Sequence, residues 1–444
     1  MNGICTRLLM VVLAAMMPVL IMLPAQEERV LFIVFMAARN DLGPYAGRNI
    51  KQLQASTPSD HVKIFVRLDS KKPGKTAKTK QFFIENNALK LTGTQEYRDS
   101  GDGDSLVETI QTAYTNFPAE KVVLVIWNHG TGGIEPAVLK ALNPSELFHF
   151  NAKENRIELE RSIGFIDYIT RGSPYENETK GIGFDDSSGN YLTIKKLTGA
   201  LRKATTHILK KKISVLACDA CMMAGIDVIS GFQDSVEYFV GSQEVVLGTG
   251  YNYDLLLKPL LLKKIPCNEL FASHCVAAFK KTYGSITEDY THCAIDVSYV
   301  NRLEKNIDTL AQLLIEGLDR QHQASVKAAL RKSRRKTACT HFKEPTYIDI
   351  DNLYENLLDS LDGCSLTNPD ETAPFKERLS TLLTEGRSII HQMVKANAVG
   401  AHLKRARGIS VYFPEYIIHK SYFNNAFAAK RTHWLEFLKK YRAT

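Results

Sequence analysis

The chain has 444 residues, of which 44% are hydrophobic and 23% charged, with a formal net charge of +8. This composition excludes a disordered chain and is ample for a large core spread over more than one domain. The Lys and Arg residues are scattered and not interleaved with stacking aromatics, so the positive balance marks a solvated basic surface, with no nucleic-acid partner.

Residues 1–25 read as a signal peptide. Arg7 is the only charge before Glu27, an apolar run covers residues 8–23, and Leu23-Pro24-Ala25 precedes the polar Gln26-Glu27-Glu28-Arg29. The run is short for a spanning helix. No other stretch is apolar enough to span, so the expectation is a secreted or periplasmic protein with no stable membrane insertion once the leader is removed. Residues 30–37 (VLFIVFMA) form a continuous apolar run, as in a strand buried on both faces. Asn40-Asp41 then reads as the cap of a helix to about Ala55. Residues 62–69 alternate as a second strand, 78–92 suggest a hairpin, 104–117 a helix, and 121–127 (KVVLVIW) a third strand that ends in Asn128-His129-Gly130.

Residues 131–180 are polar and only weakly periodic, and read as an inserted loop with some local helix. The βα alternation then resumes with a short strand at 181–186 and a helix at 193–211. A fourth strand, 213–217 (ISVLA), ends in Cys218-Asp219-Ala220-Cys221. Residues 222–231 read as a helix and 236–242 as a fifth strand. Beyond 250 the spacing is largely helical, with one late strand at 408–413. Such alternation predicts an α/β fold with a mainly parallel sheet flanked by helices and a largely helical C-terminal region. Two basic clusters, 332–336 (KSRRK) and 404–407, read as solvated faces.

Removal of the leader takes Cys5 with it and leaves Cys218, Cys221, Cys267, Cys275, Cys293, Cys339 and Cys364. That number is odd, so at least one thiol is unpaired within the chain. Cys221 and His129 each stand at the carboxyl end of a strand, where a parallel sheet lines its ligand crevice. A thiol facing an imidazole there forms a nucleophile–base dyad. The amides of Gly130 and Cys221 are the natural pair for an oxyanion hole, and a helix directly after Cys221 would favour the thiolate. Cys218 and Cys221 also have CxxC spacing, which suits redox or zinc chemistry. No second CxxC or Cys/His set completes a zinc site, so no metal ligands are assigned. Four strands ahead of the motif and a helical second half fit a thioredoxin-like fold poorly.

The runs Trp127-Asn128-His129-Gly130-Thr131-Gly132-Gly133 and Asp219-Ala220-Cys221-Met222-Met223-Ala224 closely resemble the His and Cys motifs of clostripain-like cysteine peptidases, relatives of caspases and gingipains. Residues 34–42 (VFMAARNDL), 184–192 (FDDSSGNYL), Ser242-Gln243-Glu244 and 408–414 (GISVYFP) extend the likeness over about residues 30–441. The resemblance implies a caspase-like catalytic core at 26–250, with 131–180 as an inserted activation loop, and a helical region at 251–444. It implies His129 as the catalytic base, Cys221 as the nucleophile, and Asp219 at the base of a pocket that selects a substrate Arg or Lys. Family members often cut themselves in the loop after the His. Lys140 is the nearest candidate, with Lys153, Arg156, Arg161, Arg171 and Lys180 as others. No cofactor is required. Calcium is possible because some relatives bind it, and Asp185 and Asp186 are the carboxylates that could contribute. The expected partners are peptides or proteins with Arg or Lys at P1. The alternative is a catalytically inactive caspase-fold binding protein, against which the retention of both Cys221 and His129 argues.

Overall fold

The computed structural model describes residues 28–56, 60–71, 75–134, 147–162, 164–165, 181–262, 265–319, 323–362 and 369–444. The leader and Lys140 lie outside these residues. The first half contributes β1 (Val30–Ala38), β2 (Val62–Ser70), β3 (Lys78–Glu85), β4 (Ala88–Gln95) and β5 (Lys121–Trp127). There follow β6 (Phe148–Asn151), β7 (Arg156–Leu159), β8 (Gly181–Asp185), β9 (Asn190–Thr193), β10 (Ile213–Asp219) and β11 (Val236–Gly241). The second half adds β12 (Thr291–Asp296), β13 (Tyr347–Asp349), β14 (Val394–Val399) and β15 (Ser410–Tyr412).

Nine of these strands make one sheet in the order β14-β12-β11-β10-β5-β1-β2-β3-β4. The five central strands, β11 to β2, run parallel. Antiparallel pairs close each side. The sheet is therefore mixed, with its parallel character confined to the centre. Every residue of β1 is buried, and the period-2 alternation sends its side chains into two different cores. Leu31, Ile33, Phe35 and Ala37 join helices Gly103–Asn116, Ile194–Ala204 and Val300–Asp319. Val30, Phe32, Val34 and Met36 join helices Gly43–Ala55 and Asn268–Tyr283.

Two expectations need revision. The second half is richer in strand than its spacing suggests, because β12 and β14 extend the sheet. β14, for instance, is only partly buried along most of its length, so its pattern lacks a clear apolar period. The weakly periodic insertion contains an antiparallel hairpin of β6 and β7. These strands are short and mostly half-exposed, which leaves little apolar signal to read.

The sheet also places the chemistry. β5 and β10 are adjacent and parallel, with Asp219 opposite Trp127. The two residues that follow each pairing, His129 and Cys221, therefore leave the same edge of the sheet from neighbouring strands. β1 lies on the other side of β5 and delivers Asn40 and Asp41 to that edge.

Candidate active site

The loop after β5 is fixed before it presents its imidazole. Asn128 Nδ2 donates to the carbonyls of Ala37 (2.5 Å) and Phe184 (3.3 Å), and its Oδ1 accepts the Phe184 amide at 2.7 Å. This one side chain ties β5 to β1 and β8. His129 follows, buried, with Nε2 2.6 Å from Asp41 Oδ1. A carboxylate at this contact orients the ring, with Nε2 turned to Asp41 and Nδ1 on the opposite side of the imidazole.

Asp41 does not cap the helix that the sequence pattern predicts after Asn40-Asp41. The helix begins at Gly43 after Leu42, which makes no side-chain capping bond, and a Pro sits in its first turn. Asn40 instead closes a turn on itself, its Oδ1 accepting the Leu42 amide at 3.0 Å and its Nδ2 donating to Phe184 O at 2.9 Å. That turn frees Asp41 for the imidazole.

The glycines after His129 let two backbones touch. A Cβ on Gly130 would lie 2.3 Å from the Cys221 carbonyl oxygen, and one on Gly133 would lie 2.1 Å from Asp227 Oδ2. Larger residues would push the His129 loop off the Cys221 loop. Tyr347 strengthens this junction, its hydroxyl donating to Asp227 (2.6 Å) and accepting the Gly133 amide (3.1 Å).

Cys221 is buried, at 5% exposure. Its Sγ accepts the Val246 amide at 3.2 Å. The expected helix does not start directly after it. Met222 has φ +58° and its amide donates to Glu244 O (3.1 Å); the Ala224 amide donates to Ser242 O (2.9 Å). The helix covers only Ile226–Ile229, too short and too distant to polarise the thiol. Burial dominates and pushes the thiol up to about 12, against the favourable Val246 and Gly130 amides. In this state Cys221 is a neutral thiol.

Asp219 lies at the end of β10, fully surrounded. Its Oδ2 accepts the Tyr251 amide (2.9 Å) and the Tyr253 hydroxyl (3.2 Å). Its Oδ1 is buried and has no hydrogen-bond partner among the described residues. Burial raises the carboxyl to about 7. A Cβ on Gly250 would stand 2.6 Å from Asp219 Oδ2, so only glycine leaves the carboxylate accessible from that side. His129, Cys221, Asp219, Val246 and Gly250 line one cavity of about 20 Å³, closed in part by Leu42 and Leu147. It has room for little more than one water molecule.

Cys218 is a buried residue of β10, and all six described cysteines are free. Among the described residues no group of three His, Cys, Asp or Glu side chains is arranged to hold a metal ion. Asp185 is paired with Arg39 at 2.7 Å, and Asp186 follows it at the edge of the site.

The sequence model of the clostripain family matches residues 34–144 and 169–441, a span that includes Asp41, His129, Asp219 and Cys221. The chain belongs to the clostripain family. It is accordingly a cysteine peptidase. Among curated proteins, nothing matches it. Solved structures with the same fold include an inactive zymogen C11 protease from Parabacteroides distasonis, at 16% identity and TM-score 0.58, covering 92% of this chain and 99% of that one. A secreted C11 cysteine protease from Bacteroides thetaiotaomicron in complex with an irreversible peptide inhibitor aligns at 15% identity and TM-score 0.56, over 90% of this chain and 98% of that one. The caspase-like α/β architecture expected from the sequence is thus the one this clostripain-family chain adopts. No described helix is long and apolar enough to cross a membrane.

Sequence reasoning missed Asp41 as the partner of His129, and Leu147 as a wall of the cavity. Both lie in segments whose local pattern has another meaning, a helix start and a polar insertion. Glu244 carries no signal of its own in the sequence beyond the Ser242-Gln243-Glu244 motif, yet its backbone flanks the Cys221 loop.

Proposed function

We propose that this clostripain-family peptidase is an endopeptidase that cuts after Arg or Lys, with Cys221 as nucleophile and His129 as base. The observation that carries the reading is Asp219. It is a buried carboxylate with one oxygen unpaired among the described residues, in the same cavity as the thiol. Isolated buried charge is costly, and a substrate guanidinium or ammonium would supply the missing partner through a charge-assisted hydrogen bond. The carboxyl, raised to about 7 by burial, would ionise fully when that cation enters.

The reaction follows from the atoms. His129 Nδ1 takes the proton of Cys221, and the thiolate attacks the carbonyl carbon after the basic residue. The oxyanion forms between the amides of Gly130 and Cys221. His129 then protonates the leaving amine, a thioester remains, and water hydrolyses it. Asp41 holds the imidazole in one tautomer through both proton transfers.

The intact chain is a zymogen in this reading. The cavity is nearly filled, Cys221 is a neutral thiol, and Leu147 is buried against the site. Cleavage after Lys140 would cut the connection just before Leu147 and let it withdraw. The apolar leader at 1–25 supports export. N-terminal sequencing of purified protein checks self-processing; a single uncut chain with full activity contradicts it. Hydrolysis of short fluorogenic peptides bearing Arg, Lys or Asp at P1 checks the specificity. Turnover of the Arg and Lys peptides alone, lost in Cys221→Ala, supports the reading. Equal turnover of the Asp peptide removes the role of Asp219.

A further inference from the structure

Glu244 lies between the active site and a second cavity. Its carbonyl accepts the Met222 amide (3.1 Å) beside Cys221. Its carboxylate accepts the amides of Val245 (2.9 Å) and Lys343 (2.9 Å) and Nη2 of Arg161 (3.3 Å). On the far side of Arg161 and Lys343 opens a cleft of about 620 Å³, walled by segments around 161–164, 336–345 and 401–405. This is the size of a small-molecule site.

The cleft is one-signed. Arg161, Lys336, Lys343, Lys404 and Arg405 line it, with His341 and His402, and none of its described lining residues is acidic. Three of these cations, Lys336, Lys404 and Arg405, come from the two basic clusters that read as separate solvated faces, and the fold brings them together. Some of the charge is already matched. Arg161 pairs with Asp289 at 2.8 Å as well as Glu244, and His402 Nδ1 is 3.1 Å from Asp289. Arg405 donates to Thr337 O at 3.3 Å. His341 engages the Cys339 carbonyl through Nδ1 at 3.0 Å, and burial lowers it to about 4, so it is neutral.

Lys343 is the exception. Only 4% of its surface is exposed, and among the described residues its ammonium makes no hydrogen bond or ion pair. Burial pushes its pKa down, and the through-space pull of Glu160 and Glu244 does not offset that. Its backbone and stem are buried while its ammonium opens onto the cleft, drawn by Glu160 and Glu244 at a distance and free to meet an anion that enters. Concave walls of one sign concentrate the field on whatever enters.

We infer that this cleft binds a compact polyanion, a molecule carrying two or more phosphate or sulfate groups. Tetrahedral oxyanions accept from lysine ammonium groups and arginine forks in the short, charge-assisted geometry both favour. A single carboxylate would leave Lys336, Lys404 and Lys343 largely unmatched. The inference stands on the cleft alone and does not depend on the P1 preference.

The test is titration calorimetry on the full chain carrying Cys221→Ala, which prevents self-cleavage, with inorganic tripolyphosphate and with a heparin-derived sulfated tetrasaccharide at constant ionic strength. Saturable one-to-one binding of either probe supports the cleft, and which of the two binds tells a phosphorylated from a sulfated ligand. Lys343→Met is expected to weaken binding at least about tenfold. If that buried substitution does not fold, the exposed pair Lys336→Gln/Lys404→Gln carries the same expectation. No binding of either probe, or equal binding by folded variants, overturns the inference.

Discussion

Two cavities among the described residues hold opposite charges in opposite settings. At the active site a buried carboxylate, Asp219, faces a space of about 20 Å³. At the basic cleft the ammonium of Lys343 opens onto about 620 Å³. At Asp219 one carboxylate oxygen is buried without a hydrogen-bond partner among the described residues, which folding alone does not reward, and at Lys343 the ammonium opens onto a cleft lined by further cations. The narrow site excludes water and suits a single cationic side chain held beside a reacting bond. The wide site admits water and suits a ligand carrying several charges. Glu244 touches both, by its backbone on one side and its carboxylate on the other.

The comparison breaks first at the nucleophile. Cys221→Ala should reduce hydrolysis of Arg peptides by roughly 10³-fold or more, to background, because no other group supplies the covalent step. It should leave polyanion binding at the cleft unchanged. Residual turnover near wild type would remove Cys221 from the chemistry.

Asp219→Asn keeps the shape of the pocket floor and removes its charge. Turnover of Arg and Lys peptides should fall about a hundredfold, as expected for breaking a buried ion pair, whereas peptides with a neutral P1 should lose little. A uniform loss across all peptides would point to a folding defect in place of a lost pocket charge.

Asp41→Asn tests a positioning residue. The imidazole keeps a hydrogen-bond partner but loses a pure acceptor, so both tautomers become available. The expected result is a roughly tenfold or greater fall in kcat with KM unchanged. A change confined to KM would place Asp41 in substrate binding.

The smallest effect is on stability. The Asp219 carboxyl is raised from 3.8 to about 7 in the folded chain. Below the lower value both folded and unfolded states carry the proton. Between the two, the unfolded chain gives it up and the folded chain keeps it, so wild-type stability declines as pH rises, and the loss is complete above the upper value. Asp219→Asn lacks this titration. Its melting temperature should match wild type near pH 4 and exceed it by about 2 °C or more at pH 8, measured by calorimetry on Cys221→Ala backgrounds.

These tests rest on features of unequal legibility in the sequence. The central strands were readable because residues 30–37, 121–127 and 213–217 are uninterrupted apolar runs, and a parallel core needs such runs. His129 and Cys221 were readable because each ends one of them. Asp41 was not, since Asn-Asp before a helical stretch has the same pattern whether it caps the helix or turns away to meet an imidazole. The backbone after Cys221 departs from its sequence pattern for a similar reason. Residues 222–231 are apolar enough for a helix, yet the bonds from Met222 and Ala224 to the 242–244 segment replace the first helical turn. The basic cleft was invisible in one dimension, because Arg161, Lys336 and Lys404 converge only through the tertiary fold.

Covalent labelling of the chain by thiol-reactive peptide probes that differ only at P1, read by intact mass and peptide mapping, tests Cys221 and Asp219 together. Lys and Arg probes should add once, on Cys221, an Asp probe should not, and Asp219→Asn should lose the difference. Labelling that ignores P1, or falls on another cysteine, would contradict those roles.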